Sequence, residues 1–393
     1  MVVDKCRVCG CKFFAEPLLR YENMPKAAQF LPDAESLESD KGVDLEVCQC
    51  SGCGLVQLSN EPVAYYKEVI RAAAVSEEMT DFRKKQFGGF VRKYSLKGKK
   101  VIEIGCGLGE YLSIMQQCGA KAYGLEHLEE SVRQCVTNGL RVSKGFVNNT
   151  LCRLNDAPFD AFFILNFLEH LPDPNSTLGG IYNNLTDNAV GLVEVPNFDM
   201  ILRSKLFSEF IGDHLFYFTR ETLMATLKQN GFEIIDCNEA WHDYIISAVV
   251  KKNPSKFSRQ SSGSRGVSGK LDISHFYKHQ AQLKNEIEEY IHRFKNKKVA
   301  IWGAGHQALA IISLINLAGK IKYVVDSAPF KQGKYTPATH IPIVSPAVLD
   351  SDPVDAVIVM AASYSDEIAR IIRQKFDGNI KISILRDFGL EIV

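Results

Sequence analysis

The chain has 393 residues, length for two or three domains, and its 46% apolar and 23% charged residues are those of an ordinary globular protein. Lys+Arg and Asp+Glu balance at 46 each, so no net positive field exists to draw in a polyanion, and nucleic acid is not an expected partner. The opening MVVDKCRVCG lacks an apolar signal core and no stretch approaches membrane-spanning length, so a cytoplasmic protein without a membrane partner is expected.

Disulfides are rare in that compartment, so the 11 cysteines call for another reading. Six crowd the N-terminus: Cys6, Cys9, Cys11, Cys48, Cys50 and Cys53. CRVCG and CSGCG each carry a C-x2-C pair followed by glycine, the spacing of a closed structural Zn2+ site with ligands Cys6, Cys9, Cys50 and Cys53. CGC and CQC leave Cys11 and Cys48 open as alternative ligands. The remaining cysteines, scattered singly, read as small core residues. Residues 1–60 thus form an expected zinc module, poor in large apolar residues and relying on metal for folding energy, with the polar PDAESLESDKGVD as a loop. Residues 61–95 follow as a helical connector, because YYKEVI and EEMTDFRKKQFGGFVRKY carry apolar residues at helical spacing. The Asn148, Asn175 and Asn184 sequons are chance matches in a cytoplasmic chain.

Over residues 96–252 strand and helix alternate: VIEIG, a helix, KAYGLE, a helix, a short strand near LRVSK, then DAFFILN, a helix and AVGLVEVPN. Such alternation predicts a doubly wound α/β fold with a parallel sheet. FEIIDCNEAW and YIISAVVKK are separated by a short link and predict an antiparallel hairpin at its end. A parallel sheet closed in this way is the class I methyltransferase arrangement. Within it, VIEIGCGLGEYL breaks from a buried strand on glycines into a helix, and Glu126 ends the next strand. Glycines admit a ligand close to the backbone, and a carboxylate one strand over accepts both hydroxyls of a ribose. The spacing G-x-G-x-G, the acid Glu103 inside the strand and the strand order favour S-adenosylmethionine over NAD. The donor-binding set is therefore Glu103, Gly105, Cys106, Gly107, Gly109 and Glu126, with Asn166 at the carboxyl end of its strand facing the methionine portion. Phe146 is placed to flank adenine or to pack in the core.

Residues 253–270, rich in serine, glycine and lysine, read as a linker. Residues 271–393 then begin with an amphipathic helix whose face is Phe276, Leu283, Ile287, Ile291 and Phe294. A second glycine turn follows in AIWGAGHQA, with Asp326 after the next strand, as in half of a nucleotide-binding Rossmann-like fold. Lys331 and Lys334 are candidate contacts for a diphosphate, or simply residues of an exposed loop.

Taken together, CRVCG, CSGCGLVQL, IEIGCGLGEYL, NFLEHLPD, VEVPN, DHLFYFT and AIWGAGHQALA resemble the sugar C-methyltransferases, in particular the tetronitrose and related deoxysugar 3-C-methyltransferases, over essentially the whole chain. The resemblance implies methylation of carbon three of a nucleotide-linked 4-keto-deoxysugar. By motif it implies His214 as the base and Asp213 as the acid that holds the sugar or orients the base. Two departures stand out: the acid is usually glutamate, and the tyrosine expected two positions before it is Ile211, leaving Tyr65 or Tyr66 as a candidate sugar contact. Glu169 and His170, in LEHLPD, read as part of the site wall. The C-terminal domain is expected to hold the substrate nucleotide. The competing readings are O- or N-methylation of a sugar nucleotide, a zinc-containing macromolecule methyltransferase, and a scaffolding protein with two degenerate nucleotide folds.

Overall fold

The structure is a computed structural model, and it describes residues 3–26, 30–68, 76–254, 269–294, 298–376 and 378–393. Most of the expected linker, 253–270, lies outside the described residues. Two compact units make up the chain, and neither is continuous in sequence. The first comprises residues 1–16, 48–200 and 214–270; the second comprises 17–47, 201–213 and 271–393.

The first unit is built on a seven-stranded sheet. Its strands are β1 (Lys100–Ile104), β2 (Lys121–Glu126), β3 (Val142–Lys144), β4 (Phe159–Leu165), β5 (Leu185–Pro196), β6 (Phe232–Ala240) and β7 (Ile245–Lys252), in the order β6-β7-β5-β4-β1-β2-β3. β1 to β5 pair parallel, and β7 pairs antiparallel with both β5 and β6. This is the class I methyltransferase topology that the alternating pattern predicts. The strands run nearly continuously apolar because both faces are covered. Phe159, Phe162 and Ile164 pack on one side, while Ala161 and Phe163 join Phe87, Tyr111 and Met115 on the other.

Only part of the expected connector is helical. Tyr65 to Glu68 form a turn, residues 69–75 lie outside the described residues, and helix α1 spans Glu77–Lys93. Ser76 caps it by accepting a hydrogen bond from the Met79 amide, and Glu77, Glu78, Arg92 and Lys93 complement its dipole. The other helices of this unit are α2 (Glu110–Gln117), α3 (Glu129–Thr137), α4 (Pro174–Asn183) and α5 (Arg220–Gln229).

The N-terminal residues of the unit share its main core, since Cys6, Val8, Cys50 and Leu55 belong to the same apolar cluster as Phe162 and Ile164. The Asn175 and Gln229 side-chain amides donate to the Val8 carbonyl at 2.7 and 2.8 Å, tying that segment to α4 and α5. The strand Val56–Leu58 then pairs antiparallel with Phe216–Tyr217, directly after His214.

The second unit contains a six-stranded sheet of β8 (Val299–Trp302), β9 (Val324–Val325), β10 (Ile343–Val344), β11 (Ala356–Val359), β12 (Lys381–Arg386) and β13 (Gly389–Ile392), ordered β10-β9-β8-β11-β12-β13. All pairs are parallel except β12 with β13. Helices α6 (Ser274–His292), α7 (His306–Leu314) and α8 (Ser365–Lys375) accompany it. The expected face of α6 is buried at Phe276, Leu283, Ile287 and Ile291, and Tyr290 joins it.

Two segments that are remote in sequence complete this unit, so the stretch 1–60 is shared between the units. Leu19–Met24 pairs with the strand beginning at Val43, burying Leu19, Tyr21, Met24, Leu45 and Val47. The Tyr21 hydroxyl donates to the Phe207 carbonyl at 3.0 Å, and Phe210 lies between the rings of Tyr21 and Phe276, with centroids at 6.1 and 6.0 Å. Burial of these apolar residues, which has no local periodic signature, recruits the segments into the unit.

One ion pair locks α1 to the first sheet. Arg83 and Glu194 are both fully buried, 2.5 Å apart, and Glu194 also accepts from Gln86 and from the Ser247 hydroxyl at 2.9 Å. The Arg83 guanidinium lies 4.8 Å from the centre of the Tyr111 ring and 5.2 Å from that of Phe82. Arg83→Met would leave Glu194 charged and desolvated, at an expected cost of about 3–5 kcal/mol. Chemical denaturation measures this, and adding Glu194→Leu should recover a large part of the loss. A loss below about 1 kcal/mol for the single variant would show the pair to be solvated.

Candidate functional site

The glycine turn after β1 meets the end of β2. Gly105 and Gly107 have φ of +75° and +52°, in the left-handed region, and a Cβ on Gly105 would lie 2.7 Å from the Phe167 ring. Glu126, buried at the end of β2, accepts the Gly107 amide at 2.8 Å through Oε2, and the His127 and Leu128 amides at 2.8 and 2.9 Å through Oε1. These bonds fix the carboxylate and leave lone pairs for a ligand.

An open cleft of about 270 Å³ is lined by Gly105, Glu126, His127, Phe146, Phe167 and Lys67, among others. Phe146 therefore stands at the cleft, edge-on to Phe167 and His127, with ring centroids at 6.3 and 6.2 Å. Tyr66 packs edge-on against Phe146, with ring centroids at 6.0 Å. Asn166 follows β4 with φ +48° and is exposed at the strand's carboxyl end. Glu103 is buried within β1. Cys106 points inward, its sulfur 2.6 Å from where a Cβ on Gly124 would stand, and the neighbouring Cys135 thiol together with burial pushes its pKa up. Its side chain is thus a packing group, and only its backbone belongs to the turn.

A second cluster forms at the turn following β4. Leu168–His170 is a single 3-10 turn, and the Leu215 amide donates to the Glu169 carbonyl at 2.8 Å, drawing His214 alongside. The rings of His170 and His214 meet edge-on with centroids 4.7 Å apart, and Tyr217 lies 6.5 Å from His214. One ligand atom from each of Glu169, His170 and His214 falls within 4.8 Å of the others. Glu169 is fully buried, neither carboxyl oxygen has a hydrogen-bond partner, and desolvation pushes its pKa up to about 8. The Glu169–His170 pair, read from sequence as wall, thus shares a cluster with His214. No local signal in the sequence joins LEHLPD to DHLFYFT.

Asp213 is buried in the second unit. Within that unit Glu209 lies 3.6 Å from His306; desolvation opposes the charge on His306, but Glu209 and Asp213 outweigh it and raise the pKa.

The paired knuckles come together as their spacing implies. The sulfurs of Cys6, Cys9, Cys50 and Cys53 all lie within 4.8 Å of one another, with Cys6–Cys53 at 3.7 Å and Cys9–Cys50 at 3.3 Å. Amides of Cys9 and Cys53 point at the Cys6 and Cys50 sulfurs, at 3.5 and 3.4 Å, and the Gln57 amide reaches Cys6 at 3.2 Å. All four cysteines are free thiols. Neither Cys11 nor Cys48 belongs to this group.

At the second glycine turn Asp326 accepts the Ala304 and Ala328 amides, both at 2.9 Å, and the Lys331 ammonium lies 3.1 Å from it. Lys331 also donates to the Ala304 carbonyl at 3.1 Å, so it turns inward to neutralise Asp326. Lys331 is thus engaged within its own turn, and Lys334 is half-buried nearby in sequence.

Residues 72–236 match the methyltransferase domain family and residues 264–382 the C-methyltransferase C-terminal domain family. The C-methyltransferase NovU of Streptomyces niveus is 23% identical over 392 residues, covering 93% of this chain and 91% of that protein. A ubiquinone biosynthesis O-methyltransferase of Haemophilus ducreyi is 36% identical over 94 residues, 21% of this chain and 39% of that protein. Among solved structures, an S-adenosylmethionine-dependent methyltransferase from Clostridium acetobutylicum superposes with a TM-score of 0.38 at 14% identity, covering 48% of this chain and 96% of that one. The PH0226 protein from Pyrococcus horikoshii gives 0.40 at 15% identity, covering 48% and 98%.

Alanine at Gly105 must displace Phe167 and adopt a positive φ, whereas at Gly107 nothing lies within 4 Å of the added methyl. Calorimetry should therefore find S-adenosylmethionine bound at least about tenfold more weakly by Gly105→Ala, and less affected by Gly107→Ala, where only the left-handed penalty of about 1–2 kcal/mol applies. Equal losses would mean that Phe167 does not wall the donor cleft.

Proposed function

The chain belongs to the C-methyltransferase family, and we propose that it methylates carbon three of a nucleotide-linked 4-keto-6-deoxyhexose, with His214 as the base. The chain is a methyltransferase, and its donor would be S-adenosylmethionine. The observation that carries the substrate reading is the full-length likeness to a C-methyltransferase together with a titratable histidine pair, His170 and His214, at the turn just beyond Asn166.

S-adenosylmethionine supplies an electrophilic methyl on a sulfonium, which departs as S-adenosylhomocysteine. Glu126 would take the ribose hydroxyls, Phe146 would flank the adenine and Asn166 would meet the methionine portion. The backbone from Glu103 through Gly105, Cys106 and Gly107 to Gly109 would hold the donor close to the strand ends. Carbon three is acidic only because its neighbour is a ketone, so its proton needs a base and the resulting enolate needs a stabiliser. His214 would take that proton onto its imidazole, histidine being the usual general base. The electron pair left on carbon three would then form the bond to the methyl as the methyl–sulfur bond breaks. Asp213 would hold the sugar or orient His214. The second unit, through its C-methyltransferase C-terminal domain, would take the nucleotide.

A second reading, methylation of a sugar hydroxyl, draws support from the 94-residue likeness to an O-methyltransferase. Incubation with the donor and a panel of nucleotide 4-keto-6-deoxysugars, read by mass, should give a gain of one methyl for at least one sugar. No gain across the panel contradicts the substrate reading. On the productive sugar, His214→Asn should lower turnover by about 10²–10⁴ with donor affinity held, the usual worth of a general base. Asp213→Asn should cost less, and the reverse order would assign the base to Asp213.

Zinc fits the four thiols. Tetrahedral Zn–S bonds of about 2.3 Å place sulfurs just under 4 Å apart, near the 3.3 and 3.7 Å observed. Cys6, Cys9, Cys50 and Cys53 would close the shell, leaving no open position for substrate. Since Val56–Leu58 follows the second knuckle and pairs with Phe216–Tyr217, the metal would also steady the strand that begins beside His214. Elemental analysis should return one zinc per chain, and Cys53→Ser should lose it and lower Tm. A metal-free parent protein would refute this reading.

A further inference from the structure

Glu169 presents a problem that the proposed chemistry leaves unused. It sits in the Leu168–His170 turn with its side chain 1% exposed, and neither carboxyl oxygen has a hydrogen-bond partner. An ionised carboxylate in such a place would need a compensating cation or several donors. The nearest titratable group is the His170 ring, with Nε2 3.8 Å from Glu169 Oε1. His214 and then Tyr217 come next through the ring contacts at 4.7 and 6.5 Å. From β5, Glu194 already has Arg83 as its counter-ion. No lysine or arginine is paired with Glu169 among the described residues.

A carboxylic acid that keeps its proton is the form this environment tolerates, because a neutral acid can donate one hydrogen bond and accept another. The His170 ring nitrogen, 3.8 Å from Glu169 Oε1, is the acceptor such an acid faces. His170 in turn presses its ring edge-on against His214, so whatever fixes the first ring fixes the second. We propose that Glu169 is a proton-bearing positioning residue that orients His170 and, through it, the catalytic ring of His214. The proposal rests on the reading of His214 as the base.

Its pH consequence has a definite sign. Glu169 holds its proton up to about 8 in the folded state, well above the ordinary 4.5. The folded chain therefore binds a proton that the unfolded chain has lost, and stability falls as pH rises through that window. Above it, the ionised Glu169 can no longer donate a hydrogen bond to the His170 ring, so the orientation it supplies is lost.

Two variants test this in the full chain. Glu169→Gln keeps a neutral donor and acceptor of the same length, whereas Glu169→Leu fills the space with no polar group. Turnover should fall no more than about threefold for glutamine and about tenfold or more for leucine, the scale of one lost orienting hydrogen bond, with donor affinity unaltered in both. The Tm of Glu169→Gln relative to the parent should rise between pH 5 and pH 8, and the fall in turnover above about pH 8 should be weaker in this variant. A collapse of Glu169→Gln as deep as that of Glu169→Leu would overturn the proposal, since it would mean that charge is needed. So would a second metal per chain that vanishes in Glu169→Gln, which would make the trio a cation site. If His214→Asn retains turnover while these variants behave as described, the base assignment fails and Glu169 is simply a buried neutral acid.

Discussion

The parallel pairing of β1 with β2 on one side and β4 on the other is the constraint on which the first unit depends. Parallel strands share one carboxyl edge, so whatever follows each of them converges there. The register sets Glu103 opposite Gly124 and Phe163, so the glycine turn, Glu126 and Asn166 emerge from adjacent strand ends. The turn after Asn166 then delivers Glu169 and His170. The cleft beside Glu126 and the histidine cluster are thus consequences of one sheet edge, and a one-strand change in order would separate them.

Four acids of this unit, Glu103, Glu126, Glu169 and Glu194, lie almost or wholly out of water, and the last three meet desolvation differently. Glu194 is neutralised by Arg83 and bonded by Gln86 and Ser247, an arrangement that fixes α1 to the sheet. Glu126 is bonded by three backbone amides, which hold it in one pose while leaving acceptor capacity for a ligand. Glu169 has neither solution, and its pKa rises accordingly. A buried acid that a fold leaves unsatisfied is a candidate for a functional role, because satisfying it would otherwise be the cheaper course. In the second unit Asp326 takes a fourth course, pairing with Lys331 inside its own turn.

Much of this was legible in the sequence because the signals are local. Period-2 and period-3.6 patterns mark strands and helices, the glycine turn with Glu126 lies within one strand–helix–strand unit, and the C-x2-C spacing brings Cys6, Cys9, Cys50 and Cys53 together. What escaped depends on contacts between distant segments. The approach of Glu169 and His170 to His214 requires the backbone bond from Leu215 to the Glu169 carbonyl, and no periodicity announces such a bond. The same holds for residues 17–47 and 201–213, which join the second unit through buried side chains such as Tyr21 and Phe210. Tyr66, a candidate sugar contact by sequence, packs on Phe146, and a turn replaces the helix expected there. Lys331 looked available for a phosphate only because its partner Asp326 could not be read from spacing.

The central claim is that the acceptor is a carbon made acidic by a neighbouring ketone. The most direct measurement supplies donor carrying a ¹³C-labelled methyl, with a nucleotide 4-keto-6-deoxysugar, and follows the label by NMR in the product. The account predicts a methyl resonance in the alkyl range whose protons correlate with ring carbon three. A methoxyl or N-methyl resonance, with carbon three still bearing its original hydrogens, would contradict it.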